Sequence, residues 1–171
     1  MGRYTPPPPT LRSLSTGGSM GTLYQGTALN LTAADTGKNY TLFNGDNAAV
    51  TITMPAITPG MAGTEYLFFV AEPTTSGYIF NTAADSTSFK GGLTLGTAGQ
   101  AASANGVFRA CGSGMDRIVI KSGETNGGGA DGSFLRITCV VDVTYPTWGV
   151  EGTILTADVD STGAALFVNT S

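Results

Sequence analysis

"VTITMPAITPGMAGTEYLFFVA" (residues 50–71) decides the fold class. Its first five residues alternate Val50, Ile52 and Met54 with Thr51 and Thr53, the period-two pattern of a strand with one face in a core. Pro55 ends that strand, because a proline has no N–H to give to a ladder. Pro59 and Gly60 supply a turn. The run Tyr66-Leu67-Phe68-Phe69-Val70-Ala71 is apolar on both faces, which predicts a strand in the interior of a sheet.

Working outward, the same reading predicts strands at residues 40–43, 78–80, 93–95, 107–111, 117–121, 135–143, 148–150 and 166–168. Between them stand Asn44-Gly45-Asp46, Ser76-Gly77, Gly112-Ser113-Gly114 and the glycine-rich residues 127–132. No stretch sustains a helical period, and no repeat of fixed length is present. The expectation is an all-β chain: a single antiparallel β-sandwich, jelly-roll-like, or a compact barrel. Residues 1–22 read as an extended Pro-rich arm and residues 23–171 as the β domain.

Charged residues make up only 12% of the 171, so Thr, Ser, Asn and Gly must form much of the solvated surface. The net charge is −4 and no Lys/Arg cluster occurs, which argues against nucleic acid as a partner. The longest apolar run, at Tyr66, is far shorter than the roughly 20 residues of a membrane-spanning helix. A soluble protein is expected.

Chemistry is sparse. With no histidine in the chain, Ser–His and Cys–His nucleophiles and most zinc sites are excluded. Asp158 and Asp160 could pair as carboxylates of a glycosidase, but no aromatic sugar platform flanks them, so a solvated acidic turn fits better. The glycines of residues 127–132 lack the Lys-Ser/Thr and the helix of a phosphate loop. A calcium loop from Asp131 with Asp116 or Asp142 lacks the expected ligand spacing. The sequons at Asn30, Asn39 and Asn169 matter only in a eukaryotic secreted chain. Trp148, the single tryptophan, reads as core rather than as a ligand platform.

Cys139 shares a face with Leu135, Ile137 and Val141 and reads as a core thiol, whereas Cys111 reads as more outward. A disulfide between them, worth about 3.5 kcal/mol in the chain-entropy account, would need both to face one way. No catalytic residue, cofactor, metal or small-molecule substrate is expected.

The arm carries the remaining signal. Four consecutive prolines exclude a signal-peptide h-region, and Pro6 departs from the myristoylation pattern, so the arm is expected to belong to the mature protein. Pro6, Pro7, Pro8 and Pro9 favour polyproline II, which loses little entropy on docking. Tyr4, Leu11 and Leu14 offer apolar anchors, and Arg3 and Arg12 suit an acidic partner. These nine residues are the expected contact site.

One longer stretch carries a resemblance. "LTAADTGKNYTLFNGDNAAVTITMPAITPGMAGTEYLFFVA" (residues 31–71) resembles small β-rich virion surface proteins of tailed bacteriophages. In that pattern a Leu-Thr-x-x-Asp-x-Gly-Lys-x-Tyr opening leads to a Thr-x-Thr-Leu-Pro strand end and an aromatic strand. Trp148-Gly149-Val150-Glu151-Gly152 is similar to its closing strand. Met54 stands where Leu is usual, and the Pro-rich arm has no counterpart. Physically, Asp35 with Thr36 and Gly37 reads as a turn, and Lys38 as a charge guarding a strand edge.

The resemblance implies a virion role. That role is either a head decoration (cement) protein stabilising the capsid, or a fibre or spike domain binding a host receptor. The implied partners are the major capsid protein, neighbouring copies or both, with the chain as a homotrimer. The implied location is the outer surface of the phage head, after synthesis in the bacterial cytoplasm.

Overall fold

The computed structural model describes residues 21–43, 48–72, 76–84, 87–97, 107–120, 132–141, 144–156 and 167–170. The first strands are β1 (Thr22–Tyr24), β2 (Ala28–Asn30), β3 (Asn39–Leu42), β4 (Val50–Thr53), β5 (Glu65–Val70) and β6 (Tyr78–Asn81). Then come β7 (Ser88–Thr97), β8 (Val107–Cys111), β9 (Arg117–Ile120), β10 (Phe134–Val141), β11 (Thr147–Thr156) and β12 (Phe167–Val168). They build a seven-stranded sheet in the order β1-β3-β5-β10-β11-β7-β8 and a five-stranded sheet in the order β12-β9-β6-β4-β2. The chain is therefore all-β in two layers. β1 begins at Thr22, so it straddles the expected arm boundary.

Strand direction differs from the expectation. The pairs β1–β3, β3–β5, β2–β4, β4–β6 and β7–β11 are parallel, so both sheets are mixed rather than antiparallel. The cause is the winding of the first six strands. Odd-numbered strands enter the larger sheet and even-numbered strands the smaller one, so each full turn lays a strand beside its predecessor in the same direction. Hairpin-like antiparallel pairing appears in the later chain, at β7–β8 and β10–β11.

The inner faces follow the period-two pattern. Val50, Ile52, Tyr78, Phe80, Ile118 and Ile120 of the smaller sheet meet Tyr40, Leu42, Tyr66, Phe68, Leu135, Ile137 and Trp148 of the larger. Phe80 crosses the interface edge-on to Phe68, with centroids 4.9 Å apart. β5 lies between β3 and β10, the interior position its two-sided apolar run requires. Trp148 is fully buried and edge-on to Tyr66 at 5.8 Å, as a core tryptophan should be. Cys139 is buried, Cys111 is half-buried and donates to the Phe89 carbonyl at 3.0 Å, and neither forms a disulfide.

β7 and β11 run well beyond the predicted 93–95 and 148–150. Glycines hid their length. A Cβ on Gly92 would come within 2.3 Å of the Phe108 ring, and one on Gly149 within 2.4 Å of Val140, so neighbouring side chains lie flat where these strands have none.

Candidate functional site: one face of the larger sheet

The sequence motif at residues 31–40 proves to be the corner between the sheets. Asp35 accepts hydrogen bonds from the Thr32 amide at 2.8 Å and the Thr32 hydroxyl at 2.7 Å, and Lys38 Nζ lies 2.5 Å away. These donors, Lys38 foremost, hold the Asp35 carboxyl down at about 2. Tyr66 donates its hydroxyl to the Thr32 carbonyl at 2.8 Å, and burial pushes that phenol up to about 12. Gly37, at φ 74°, donates its amide to Glu65 at 2.8 Å. Lys38 guards no edge: it leads into β3, which has β1 on one side and β5 on the other, and its charge is used by Asp35. The turn expected at Asp35 is present.

Asp116, one of the candidate calcium ligands, is buried and accepts from the Thr170 amide at 3.0 Å and the Thr170 hydroxyl at 2.6 Å. Its carboxylate pins the segment after β12 to β9. Asp131, Asp142, Asp158 and Asp160 lie outside the described residues, as do glycines 127–129. Among the described residues no three His, Cys, Asp or Glu side chains gather in one place. The expected contact residues Arg3, Tyr4, Pro6, Pro7, Pro8, Pro9, Leu11, Arg12 and Leu14 also lie outside the described residues.

What the sequence reading missed is a face. Register places Leu23, Thr41, Phe69, Phe134, Thr153, Thr94 and Phe108 opposite one another in turn, a single row crossing all seven strands. Their inward neighbours Leu42, Phe68 and Leu135 are buried, so this row faces out. Four of its seven members are large apolar side chains left in solvent: Leu23 is 56% exposed, Phe69 41%, Phe134 37% and Phe108 63%. Phe69 and Phe134 lie against each other at 6.3 Å.

Between Phe134 and Phe108 the row holds Thr153 and Thr94, and the Phe108 ring leans across β7 over Gly92. Beside Phe134 lies a depression of about 320 Å3 lined by Phe134, Arg136, Glu151, Gly152 and Thr153.

One step along the strands the character changes. Arg136 on β10 reaches Glu151 on β11 at 2.9 Å and Glu65 on β5 at 3.5 Å. Beyond this charged belt, Val140, Val141 and Tyr145 border a larger groove of about 680 Å3, with Lys90 and Glu151 on its rim. Tyr145, in the turn between β10 and β11, is 77% exposed.

A signal for the row existed in the sequence. Phe69 and Phe134 sit at the outward positions of strands whose inward positions were already filled with apolar residues. What the sequence could not give was the register that aligns them.

No family model matches the chain, and no curated protein matches it.

Proposed function

We propose that this chain is a structural protein of a tailed-phage virion, a head decoration protein that binds the outer capsid and stabilises the shell. The observation that carries the reading is the asymmetry of exposed apolar groups. Leu23, Phe69, Phe108, Phe134, Val140, Val141 and Tyr145 all belong to the larger sheet or its β10–β11 turn. Exposed apolar groups gathered on one sheet, and none on the outer face of the other, favour a contact face over ordinary surface scatter. The resemblance of residues 31–71 to virion surface proteins supports the same reading.

Decoration works by mass action. A protein that binds only the assembled shell stabilises it by about 2.7 kcal/mol per site when present at roughly 100 times its Kd. The β domain would sit as a trimer on the capsid, and the arm would run to the capsid protein or a neighbouring copy. The test is co-sedimentation with expanded heads of its phage. Stoichiometric binding is expected, weakened when residues 2–14 are deleted. Absence of binding by the full chain overturns the reading.

The groove at Tyr145 favours a second reading, a fibre or spike domain. A turn-borne exposed aromatic beside Lys90 and Glu151 suits a receptor or glycan. Binding to host cells and not to heads would select it.

A further inference from the structure

The registers that align the outer row also fix what stands at equal distances on either side of the sheet's middle. The line between β10 and β11 has β5 and β7 next out, and β3 and β8 beyond them. In the outer row, Phe134 and Phe69 lie on one side of that line, with Thr153 and Thr94 at the mirrored positions on the other. Farther out, Thr41 mirrors Phe108, whose ring leans over Gly92. Large answers small at each step. Charge follows the same rule, since Arg136 on β10 mirrors Glu151 on β11. Two residues along, Glu65, Thr138, Gly149 and Lys90 form one row, so Glu65 on β5 mirrors Lys90 on β7. Lys90 is exposed and makes no ion pair among the described residues.

A surface with that symmetry fits a rotated copy of itself. A two-fold axis running along the strands, over the line between β10 and β11, lays β10 of one chain on β11 of the other, and β5 on β7. Phe134 and Phe69 then meet Thr153 and Thr94 of the second copy, Arg136 meets its Glu151, and Glu65 meets its Lys90. Each contact occurs twice. Stacked sheets cross at about 30°, which at β5 and β7, roughly 7 Å from the axis, displaces facing residues by about 4 Å. Phe, Glu and Lys side chains span that. The face is also large enough. Alternation turns about half of the larger sheet's strand residues outward, roughly two dozen, and a standard interface uses about 20–30 on each side.

We propose that the free chain pairs with a second copy through the outer face of its larger sheet, about this two-fold axis. The charge contacts lie where solvent still reaches, and such pairs add little net affinity. The dissociation constant is therefore expected in the micromolar range, with single chains at high dilution. This inference stands apart from the virion reading, which expects a trimer on the head. A shell that takes this face would have to part the two copies.

Sedimentation equilibrium of the full-length protein over about 1–300 μM tests it. The mass is expected to rise with concentration towards twice the 17.4 kDa of one chain. Lys90→Glu and Glu65→Lys each set like charges against one another at both contacts, so each alone should weaken pairing roughly tenfold or more. Mixed in equal amounts, the two variants should pair about as tightly as the wild type. Each mixed dimer has one native contact and one with its charges exchanged, and both attract. Recovery on mixing needs both variants folded, so a folding defect cannot imitate it. A single-chain mass for the wild type throughout, a dimer that neither variant weakens, or variants that mixing does not restore would each overturn the proposal. A wild-type trimer overturns it too. None of these results decides the head-binding assay, which succeeds or fails by itself.

Discussion

The two outer faces of this sandwich are built from the same alternating strands and carry opposite surfaces. On the smaller sheet, register aligns Asn30, Thr53, Asn81 and Arg117 in one row and Ala28, Thr51, Ile79 and Val119 in the next. Arg117 donates to Asn81 at 2.9 Å, and Ile79 and Val119 are half-buried. Among the described residues none of the exposed large hydrophobics lies there. The larger sheet has Leu23, Phe69, Phe134 and Phe108 in its row instead. Both sheets fill their inner faces, so the core does not explain the difference. The smaller sheet shows how a chain poor in charge solvates a strand face, with hydroxyls and amides. Aromatic residues on the other face lie outside the core, against each other or over glycine.

That distinction can be broken by a pair of truncations. Phe80 and Phe134 are the same residue type on opposite sides of the architecture, one fully buried against Phe68, the other outward beside Phe69. Phe80→Ala should cost about 3–5 kcal/mol of unfolding free energy, through lost burial and a cavity between the sheets. Phe134→Ala should cost about 1 kcal/mol or less, because solvent already reaches the ring and β10 stays paired on both sides. Urea unfolding checks both. Similar losses for the two would mean that the outer row belongs to the stabilising core and is not a free contact face.

A smaller effect belongs to the charged belt. Arg136 joins β5, β10 and β11 through Glu65 and Glu151, and all three side chains are about half-exposed or more. Exposed pairs contribute about 1 kcal/mol or less and are screened by salt. Arg136→Ala should therefore shift the urea midpoint slightly at low ionic strength and barely in high salt. A large, salt-independent loss would show the belt to be structural. The apolar row and the Tyr145 groove would then be one surface with a rigid spine.

How much of this was legible follows from range. Alternation at Val50, Ile52 and Met54, and the two-sided apolar run at Tyr66, gave the strands and their inner residues, because a strand's faces are set by neighbours two positions away. Direction was not legible. Whether β3 pairs with β1 or with β4 depends on the chain crossing between sheets after each of the first six strands, and the crossings have unequal lengths, so no repeat betrayed them. β1 and β2 escaped because three residues each carry too little pattern, and β7 and β11 were shortened by the glycines that Phe108 and Val140 cover. The exposed apolar row depended on register across seven strands, which no local pattern encodes. The nine arm residues were picked from chemistry alone, and they lie outside the described residues.

The corner at Asp35 belongs to neither outer face, and so it separates fold from contact. Its carboxyl sits at about 2 when folded, against an ordinary value of 3.8, held there first by Lys38 and then by Thr32. A depressed folded value means the contribution is fully present above about 4. It is lost as pH falls from there through about 2, as the folded chain too takes up the proton. Asp35→Asn removes the charge at every pH, so its deficit against the wild type should be constant near neutrality and vanish towards pH 2. The pair is exposed, so the deficit should be modest, roughly two- to fivefold in the unfolding equilibrium constant. Urea titrations at both pH values measure it. On the decoration proposal, head binding by Asp35→Asn should equal that of the wild type, because the motif at residues 31–40 turns the chain from one sheet to the other and leaves the aromatic row untouched. If Asp35→Asn instead abolished binding while the fold survived, the contact would lie at the corner, and the apolar face of the larger sheet would need another explanation.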